Sequence, residues 1–465
     1  MAQPQIVWLR RDLRLADQPA FAAAAAQGPV IPVYVLDDDT PKHRRMGGAS
    51  RWWLHRSLQS LARDLARHNS RLILRRGDVV DVLEALARET GATTIHALRH
   101  VEPWWRKAER ALSARLELCL YDGLYLLPPG SLTTGGGTPY KIFTPFKNAL
   151  FERLDGVDLL PEPALSAPET WPASDTLAAW NLQPSNPDWA RGFAEAWTPG
   201  SDAALARMEE FKDDLGPYRQ DREMPSIDGT SRLSPHLHFG EIGPRQLWHA
   251  TDGMTGSGPG FFRAELAWRD YAAGLVLQFP DYGTRSYRDG YDANETGGLW
   301  RNPETDEHAA ADLKAWQQGR TGYPIVDAGM RQLWDSGWMH NRVRMIAASF
   351  LVKHLLIDWR HGERWFWDTL VDADYPSNAT NWQWVSGTGV DSNMFVRIMA
   401  PLSQSEKFDA GGYIRDWVPE LRGLDDPYVH DPASYGCRPK DYPTPLIGHR
   451  EGRERALESY REMKA

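Results

Sequence analysis

The chain has 465 residues, of which 42% are hydrophobic and 25% are charged, and its formal net charge is −9. This length predicts two domains, and no apolar run is long enough to span a membrane. Two cysteines cannot form a disulfide framework, and neither has metal-ligand neighbours, so we expect a reducing cytoplasm and no metal site. The acidic balance argues mildly against nucleic acid, although a local basic stripe would be enough to bind phosphates.

Residues 1–130 alternate short apolar segments with amphipathic ones. Five strands are predicted at QIVWL, VIPVYVL, RLILRR, TTIHAL and LELCLY, with helical patterns such as DVVDVLEALARET between them. Strands that alternate with helices predict an α/β domain with a parallel, five-stranded, doubly wound sheet. No glycine-rich dinucleotide motif follows the first strand, so a ligand site here would depend on strand-end geometry alone.

The rest of the chain changes character twice. Residues 131–200 include a stretch rich in Pro, Ser and Ala, which predicts a connection between domains. From residue 201 onward helical periodicity dominates, as in FFRAELAWRDYAAGLVLQF. We therefore expect an α/β domain over 1–130, a linker over 131–200 and an all-helical domain over 201–465.

A polar cluster precedes Pro235 in the segment DGTSRLSPHLHFG. Its members are Thr230, Ser231, Arg232 and Ser234. Hydroxyls and free backbone N–H groups at the start of a helix form a natural phosphate site, and the arginine adds positive charge. An ordinary helix cap accounts for the same residues.

In AELAWRDY, the residues Glu265, Trp268 and Arg269 have i, i+3 and i+4 spacing and share one face of a predicted helix. A carboxylate, an indole and a guanidinium can hydrogen-bond and stack on a planar polar ligand. The alternative is an amphipathic helix with a local ion pair.

In GWMHNRVRMIAASF, helical spacing places Asn341, Met345 and Ala348 on one face. An amide beside a thioether offers a polar but soft surface that suits a base-like ligand. Arg342 and Arg344 are expected to point elsewhere and to pair with anions. The alternative is a core methionine with a solvated arginine face.

The segment DTLVDADYPSNATNWQW carries Asp372 and Asp374 before a proline and Asn378 after it. Residues 378–393 are rich in Asn, Ser, Thr and Gly, which are poor helix and strand formers, so an irregular loop is expected. Carboxylates and an amide in such a loop suit the edge of a heterocycle. A helix-ending turn would use the same residues.

Tryptophan is unusually frequent, with 21 residues. Trp382 and Trp384 stand in polar, glycine-rich surroundings that are unlike a normal core. A series of indoles could conduct electrons, although most tryptophans serve packing. The predicted helical domain contains, among others, Trp300, Trp338, Trp359, Trp382 and Trp384.

Six co-linear segments resemble the signatures of the photolyase/cryptochrome family and extend over nearly the whole chain. They are WLRRDLRLADQPA, GTSRLSPHL, ELAWRDY, TGYPIVDAGMRQL, WMHNRVRMIAASFLVKHLLIDWR and NWQWVSGTG. The resemblance implies an N-terminal α/β antenna domain, a helical domain that holds FAD, and blue-light chemistry.

Site residues follow from this resemblance position by position. It assigns FAD binding to Tyr218, Thr230, Ser231, Arg232, Leu233, Ser234, Arg269, Arg344, Asp372, Asp374 and Asn378. Within this set Arg344 is expected to pair with Asp372, and Asn378 to face the N5 edge of the flavin. Trp382, Trp359 and Trp300 are the expected relay that delivers electrons to the cofactor.

The same resemblance implies a DNA site next to the flavin. It assigns substrate binding to Arg222, Glu265, Trp268, Asn341, Arg342, Met345, Trp384, Arg397, Gln404 and Lys407. The segment HNRVRM resembles repairers of cyclobutane pyrimidine dimers, because the 6-4 repair branch has histidines at the positions of Asn341 and Met345. Plant cryptochromes tend to have Asp where this chain has Asn378.

The implied activity is that of a deoxyribodipyrimidine photo-lyase, in which excited FADH⁻ donates an electron to the dimer and regains it after the ring splits. Glu265 is expected to hydrogen-bond the dimer carbonyl. The segments GGASRWWLHRSL and FVRIMAPLSQSEKFD resemble bacterial dimer photolyases nearest to plant cryptochromes. A monomer in the cytoplasm that acts on UV-damaged DNA is expected. A photoreceptor, a 6-4 photolyase and an electron-shuttling flavoprotein are the alternatives.

An antenna chromophore is expected at HALRHVEPWWRKAER, which follows the fourth predicted strand. Glu102 is a hydrogen-bond acceptor for a pterin amino group, and Trp104 or Trp105 is a stacking partner. This pair favours 5,10-methenyltetrahydrofolate over a deazaflavin. The alternative is two indoles that cover the sheet edge without a chromophore.

Overall fold

The computed structural model of the chain describes residues 2–154, 156, 158–292, 299–392 and 398–464. Its first part contains a parallel sheet in the order β3-β2-β1-β4-β5. The strands are β1 Gln5–Leu9, β2 Val30–Leu36, β3 Ile73–Arg76, β4 Thr94–Leu98 and β5 Glu117–Tyr121. All five predicted strands are therefore confirmed, with ends that differ by at most two residues.

Helices cover both faces of this sheet. They are α1 Pro19–Gln27, α2 Gly48–Arg67, α3 Val79–Thr90 and α4 Pro103–Ser113. Successive strand residues point to opposite faces, so Val7 packs into a core with α1 and α2, whereas Trp8 packs into a second core with α3 and α4. Burial on both faces explains why the strands read as continuous apolar runs, and it confirms the doubly wound α/β prediction.

The segment predicted as a linker contains two helices, α5 Phe143–Arg153 and α6 Arg191–Ala196. The first of these packs along α11, Ser257–Gln278. Part of the segment thus belongs to the helical core. The boundaries at 130 and 200 stay predictions of the sequence.

The remaining described residues are helical, as predicted, and contain no further strand. Before α11 the helices are α7 Ser201–Asp214, α8 Tyr218–Asp221, α9 Ser234–Phe239 and α10 Pro244–Ala250. After it come α12 Glu307–Gln317, α13 Pro324–Ser336, α14 Asn341–Ser349, α15 Trp359–Thr369, α16 Tyr375–Ser386, α17 Pro401–Lys407, α18 Gly411–Trp417 and α19 His449–Lys464. None of the described helices is long and apolar enough to cross a membrane.

The expectation of an irregular loop after Asp374 was wrong, because α16 is a regular helix. The Asp374 side chain caps its first turn by accepting from the N–H of Ser377 at 2.9 Å, and Gly387 ends it with φ of 86°. The helix packs against α11 and α15 and buries Trp382 and Gln383. This tertiary packing outweighs the low helix propensity of the sequence.

Candidate functional site

Two neighbouring cavities lie among the helices of the second half. The first has a volume of about 270 Å³ and the second of about 350 Å³. They share wall residues, which include Glu265, Trp268, Asn341, Arg344 and Asp372. A ligand in one cavity would therefore lie directly beside a ligand in the other.

The predicted polar cluster forms one wall of the first cavity, which Tyr218 and all five residues 230–234 line. Arg207 donates to the carbonyl oxygens of Thr230 at 3.1 Å and Ser231 at 3.0 Å, which fixes the loop before α9. The Thr230 hydroxyl is buried and has no hydrogen-bond partner among the described residues. Ser234 begins α9, as predicted, and its hydroxyl donates to Asp372 at 2.7 Å.

Arg344 and Asp372 form a bidentate ion pair at the boundary of the two cavities, with Nη–Oδ distances of 3.1 and 2.9 Å. The pairing expected from the resemblance is thus present. Arg344 and Arg342 do not point away from Asn341 and Met345, because all four residues line the second cavity. Arginine side chains are long enough to reach the cavity from the flank of the helix face.

Asn378 is 9% exposed and is oriented by Glu363, which is fully buried. The Nδ2 atom of Asn378 donates to the Glu363 carboxylate at 2.9 Å and to the Glu363 carbonyl at 3.1 Å. A carboxylate only accepts hydrogen bonds, so the amide nitrogen must face Glu363 and the amide oxygen remains free for another partner. Asn378 lines the second cavity, where it presents a hydrogen-bond acceptor.

The first half of the chain supplies the partner of this carboxylate. Arg44 Nη1 donates to both oxygens of Glu363, at 2.6 and 2.7 Å. Arg44 is 319 residues away in sequence from Glu363, and neither residue belongs to a recognisable motif. The sequence analysis missed both for this reason.

Asp374 also connects to the first half, since Arg11 lies between it and Glu102. Nη1 of Arg11 is 3.9 Å from Asp374 and 3.4 Å from Glu102. His100 and Arg11 help to lower the pKa of Glu102 to about 2, against the opposing effect of its burial. Glu102 is 2% exposed. Its carboxylate is therefore engaged inside the protein, and the pterin site at this residue stays a prediction.

Trp104 and Trp105 do not form a common stacking surface. Trp104 contacts Tyr375 of α16, with ring centroids 4.9 Å apart, whereas Trp105 contacts Trp8 of the sheet at 6.1 Å. Consecutive helical residues point about 100° apart, which sends the two indoles into different cores. Trp105 thus packs against the sheet, as the alternative without a chromophore expects, whereas Trp104 packs against α16.

Glu265, Trp268 and Arg269 all line the first cavity, as their helical spacing predicted. The Glu265 carboxylate is 34% exposed and lies 2.9 Å from Nη2 of Arg222. Burial raises the pKa of Glu265, and Arg222 partly opposes this effect. Arg269 donates to the carbonyl of Leu237 at 3.4 Å, so it also fixes the backbone of α9.

Two of the predicted DNA-contacting arginines, Arg222 and Arg342, are held by carboxylates. Glu223 lies 3.1 Å from Arg222 and also pairs with Arg342. Arg342 and Lys407 both lie over the ring of Phe408, at 4.4 and 5.0 Å. The structure thus brings these two cations together from separate helices. Gln404 is half-buried on α17, next to Lys407, and Arg397 lies outside the described residues.

The predicted relay tryptophans occupy different environments. Trp382 is 2% exposed, and its close ring neighbours are Phe366 at 5.0 Å and Trp316 at 6.3 Å. Trp359 is fully buried and donates from Nε1 to the Ser286 hydroxyl at 3.1 Å. Trp300 is half-buried and lies 6.4 Å from Tyr291. Trp384 lines the second cavity.

These residues fit a flavin dinucleotide. The first cavity combines a hydroxyl-rich loop, the buried unpartnered hydroxyl of Thr230 and four arginine side chains, which suits a diphosphate and sugar. In the second cavity the oriented amide of Asn378 lies with the Arg344–Asp372 pair, which suits the polar edge of a planar ring, so the flavin ring would extend from the first cavity into the second. Among the described residues, no group of His, Cys, Asp and Glu has the geometry of a metal site.

Comparisons with known proteins agree with this arrangement. A family model described as DNA photolyase matches residues 5–168, and one described as the FAD binding domain of DNA photolyase matches residues 262–462. The deoxyribodipyrimidine photo-lyase of Agrobacterium fabrum is 44% identical, with 99% of this chain and 98% of the relative covered. Cryptochrome-1 of Arabidopsis thaliana is 34% identical, with 98% of this chain and 70% of that protein covered.

A solved structure agrees over the full length. The bacterial class III photolyase from Agrobacterium tumefaciens superposes with a TM-score of 0.93 at 44% identity, and the match covers 100% of this chain and 98% of that chain. The chain belongs to the photolyase/cryptochrome family, as its motifs predicted. Its helical half contains the FAD-binding domain of that family.

Proposed function

We propose that this protein is a photolyase that repairs cyclobutane pyrimidine dimers in DNA with light and reduced FAD. The observation that carries the proposal is the second cavity. Trp268, Trp384 and Met345 provide it with flat and soft apolar surface, and it shares a wall with the cavity that fits the cofactor. A dimer that has left the base stack would therefore lie beside the flavin.

The reduced flavin, once bound, supplies an electron when it absorbs blue light. The protein's own residues bind and orient. The loop 230–234 and Tyr218 hold the dinucleotide, Asn378 offers its amide oxygen to the flavin edge, and Arg344 with Asp372 fixes the shared wall. Glu265, in its protonated form, donates a hydrogen bond to the dimer carbonyl, and Trp268 and Trp384 enclose the bases.

The choice of dimer over 6-4 photoproduct rests on the composition of the second cavity. Asn341 and Met345 line it, and none of its described lining residues is histidine. The described lining of this cavity thus lacks an imidazole, the side chain whose unperturbed pKa lies nearest neutral pH and which suits proton transfer. A dimer needs only electron transfer and a hydrogen-bond donor.

The decisive experiment gives the reduced, FAD-loaded protein three DNAs: one with cyclobutane dimers, one with 6-4 photoproducts and one intact. Blue light should remove the cyclobutane dimers, whereas darkness should leave them unchanged. Equal dimer levels in light and darkness would reject the lyase proposal in favour of a photoreceptor. Loss of 6-4 photoproducts instead would reject the substrate assignment. FAD binding without preference for damaged DNA would indicate an electron-shuttling flavoprotein.

We also propose that the protein carries a 5,10-methenyltetrahydrofolate antenna, in preference to a deazaflavin. Because Glu102 is buried, the predicted site after the fourth strand suits this chromophore poorly. A separate cavity of about 270 Å³ lies between α2, α13 and α15, and Trp189, Phe193 and Trp334 line it. Trp334 is 52% exposed. Indoles at an open cavity suit the stacking of a planar pterin.

Chromophore extraction tests this assignment in protein made by a host that supplies both folate and deazaflavin. A folate-like near-ultraviolet absorber should be present, should be lost in Trp334→Ala and should remain in Glu102→Gln. Retention of the absorber in Trp334→Ala and its loss in Glu102→Gln would instead support the site at Glu102. A deazaflavin, or FAD alone, would refute the folate assignment. The cytoplasmic location and monomeric state are proposed on sequence grounds alone.

A further inference from the structure

The indole of Trp268 is stacked on a second aromatic ring, that of Phe143. The ring centroids are 3.5 Å apart and the planes are inclined by only 8°. Trp268 lies on α11 and lines both cavities. Phe143 is the first residue of α5, in the segment that the sequence predicted to be a linker. Phe143, to which the sequence assigned no role, thus covers one face of the Trp268 indole, and this indole forms part of the wall of the second cavity.

Phe143 is itself fixed from two sides. Its backbone N–H donates to Oδ2 of Asp391 at 3.2 Å. The ring of Tyr271 contacts Phe143 and Trp268 edge-on, at 5.8 and 5.6 Å, and its hydroxyl donates to the carbonyl of Lys141 at 2.7 Å. These contacts hold Phe143 in place beside the indole.

Support of this kind has a consequence for ligand binding. Trp268 is half-buried, and an unsupported indole at a cavity wall would lose rotamer freedom on binding, which weakens affinity. Because Phe143 covers one face of the Trp268 indole, the indole is ordered before the ligand binds. A flat ligand can then stack only on the part of the indole that is still exposed.

We propose that Phe143 is a positioning residue for lesion recognition, which acts by fixing Trp268 in the orientation that receives an extruded pyrimidine. This inference rests on the proposed function. It predicts a loss of affinity for dimer-containing DNA and no loss of chemistry once DNA is bound, because Phe143 lines neither of the two cavities.

The test measures binding of dimer-containing and intact DNA to full-length, FAD-loaded protein, together with repair per photon at saturating DNA. An aromatic pair contributes about 0.5–1.5 kcal/mol, so Phe143→Ala should bind dimer DNA about fivefold more weakly. Repair per photon and FAD content should be unchanged, and Phe143→Tyr should retain affinity. Phe146→Ala is the matched control, because Phe146 lies on the same helix and contacts Tyr271 instead of Trp268.

The Trp268→Ala background separates positioning from general damage. There, adding Phe143→Ala should cause no further loss, since the ring that Phe143 supports is absent. A further fivefold loss of affinity in that background would overturn the inference, and so would wild-type affinity in Phe143→Ala. Neither result would affect the proposed function. If the wild-type protein itself binds dimer and intact DNA equally, the proposed function fails first and the inference fails with it.

Discussion

At the scale of single residues, neighbours decide what a side chain can do. Asn378 has an amide with two ends, and the buried carboxylate of Glu363 selects which end faces the cavity. Glu265 has an ordinary carboxyl group whose pKa is raised by its burial. The neighbouring groups thus set the orientation of the Asn378 amide and the pKa of the Glu265 carboxyl.

The raised pKa of Glu265 predicts a pH dependence of repair. Below that pKa the carboxyl is protonated and donates to the dimer carbonyl. As the pH rises through it, the group ionises and becomes an acceptor only, so repair per photon should fall. Glu265→Gln should keep a donor at every pH and show a flat profile at a lower yield. Identical pH profiles for the two proteins, measured with FAD bound, would remove Glu265 from this role.

Trp382→Phe tests the relay. The variant should lose light-driven reduction of oxidised FAD, because phenylalanine is much harder to oxidise than tryptophan. The chemically reduced variant should repair dimers at the wild-type yield, since under the proposal Trp382 serves to load the cofactor with electrons and has no part in the repair step. A strong defect in the pre-reduced variant would show that Trp382 has another function.

At the scale of elements, the site depends on how closely α15 and α16 approach each other. Gly362 lies on α15, and a Cβ atom there would overlap the indole of Trp382 on α16. The absence of a side chain at this position allows the two helices to bring Glu363 and Asn378 together. The same packing against α15 stabilises α16, although its residues have low helix propensity.

Gly362→Ala should therefore destabilise the protein by about 1–3 kcal/mol, as overpacked cores usually do. It should also slow the light-driven reduction of FAD, because the Trp382 ring must move. Gly274→Ala on α11 is the matched control, since an added Cβ meets nothing within 4 Å there. That control should be neutral or slightly stabilising. Equal unfolding free energies for the two variants would contradict the packing argument.

At the scale of the whole molecule, the two halves of the chain build one site. Arg44 from the first half neutralises Glu363 of the second, and their side chains are 4% and 0% exposed. Arg11 likewise connects Glu102 to Asp374. The α/β half thus contributes side chains to the structure of the helical half's site.

Arg44→Met should destabilise the protein by about 3–5 kcal/mol, because it leaves the buried charge of Glu363 without its partner. Denaturant unfolding of FAD-loaded protein measures this effect. Glu363→Gln in the same chain should recover part of the loss, since a neutral amide is less costly to bury. Arg45→Met, at an exposed neighbouring position, should change stability by less than about 0.5 kcal/mol. Similar values for Arg44→Met and Arg45→Met would disprove the coupling between the halves.

The sequence by itself determined the features that have local causes. Apolar runs marked the five strands, because both faces of a parallel sheet are buried. The 3.6-residue period placed Glu265, Trp268 and Arg269 on one face, and the cavities confirm that face. The motifs that indicated the family are contiguous strings and need no fold to be read.

Only the tertiary structure decided the features that depend on distant segments. The contact between Arg44 and Glu363 joins residues 319 positions apart along the chain, and no local pattern encodes such a contact. The helix at α16 and the support of Trp268 by Phe143 likewise arise from packing between elements. The burial of Glu102 and its contacts with Arg11 and His100 are of the same kind, because only the fold determines which side chains reach the surface.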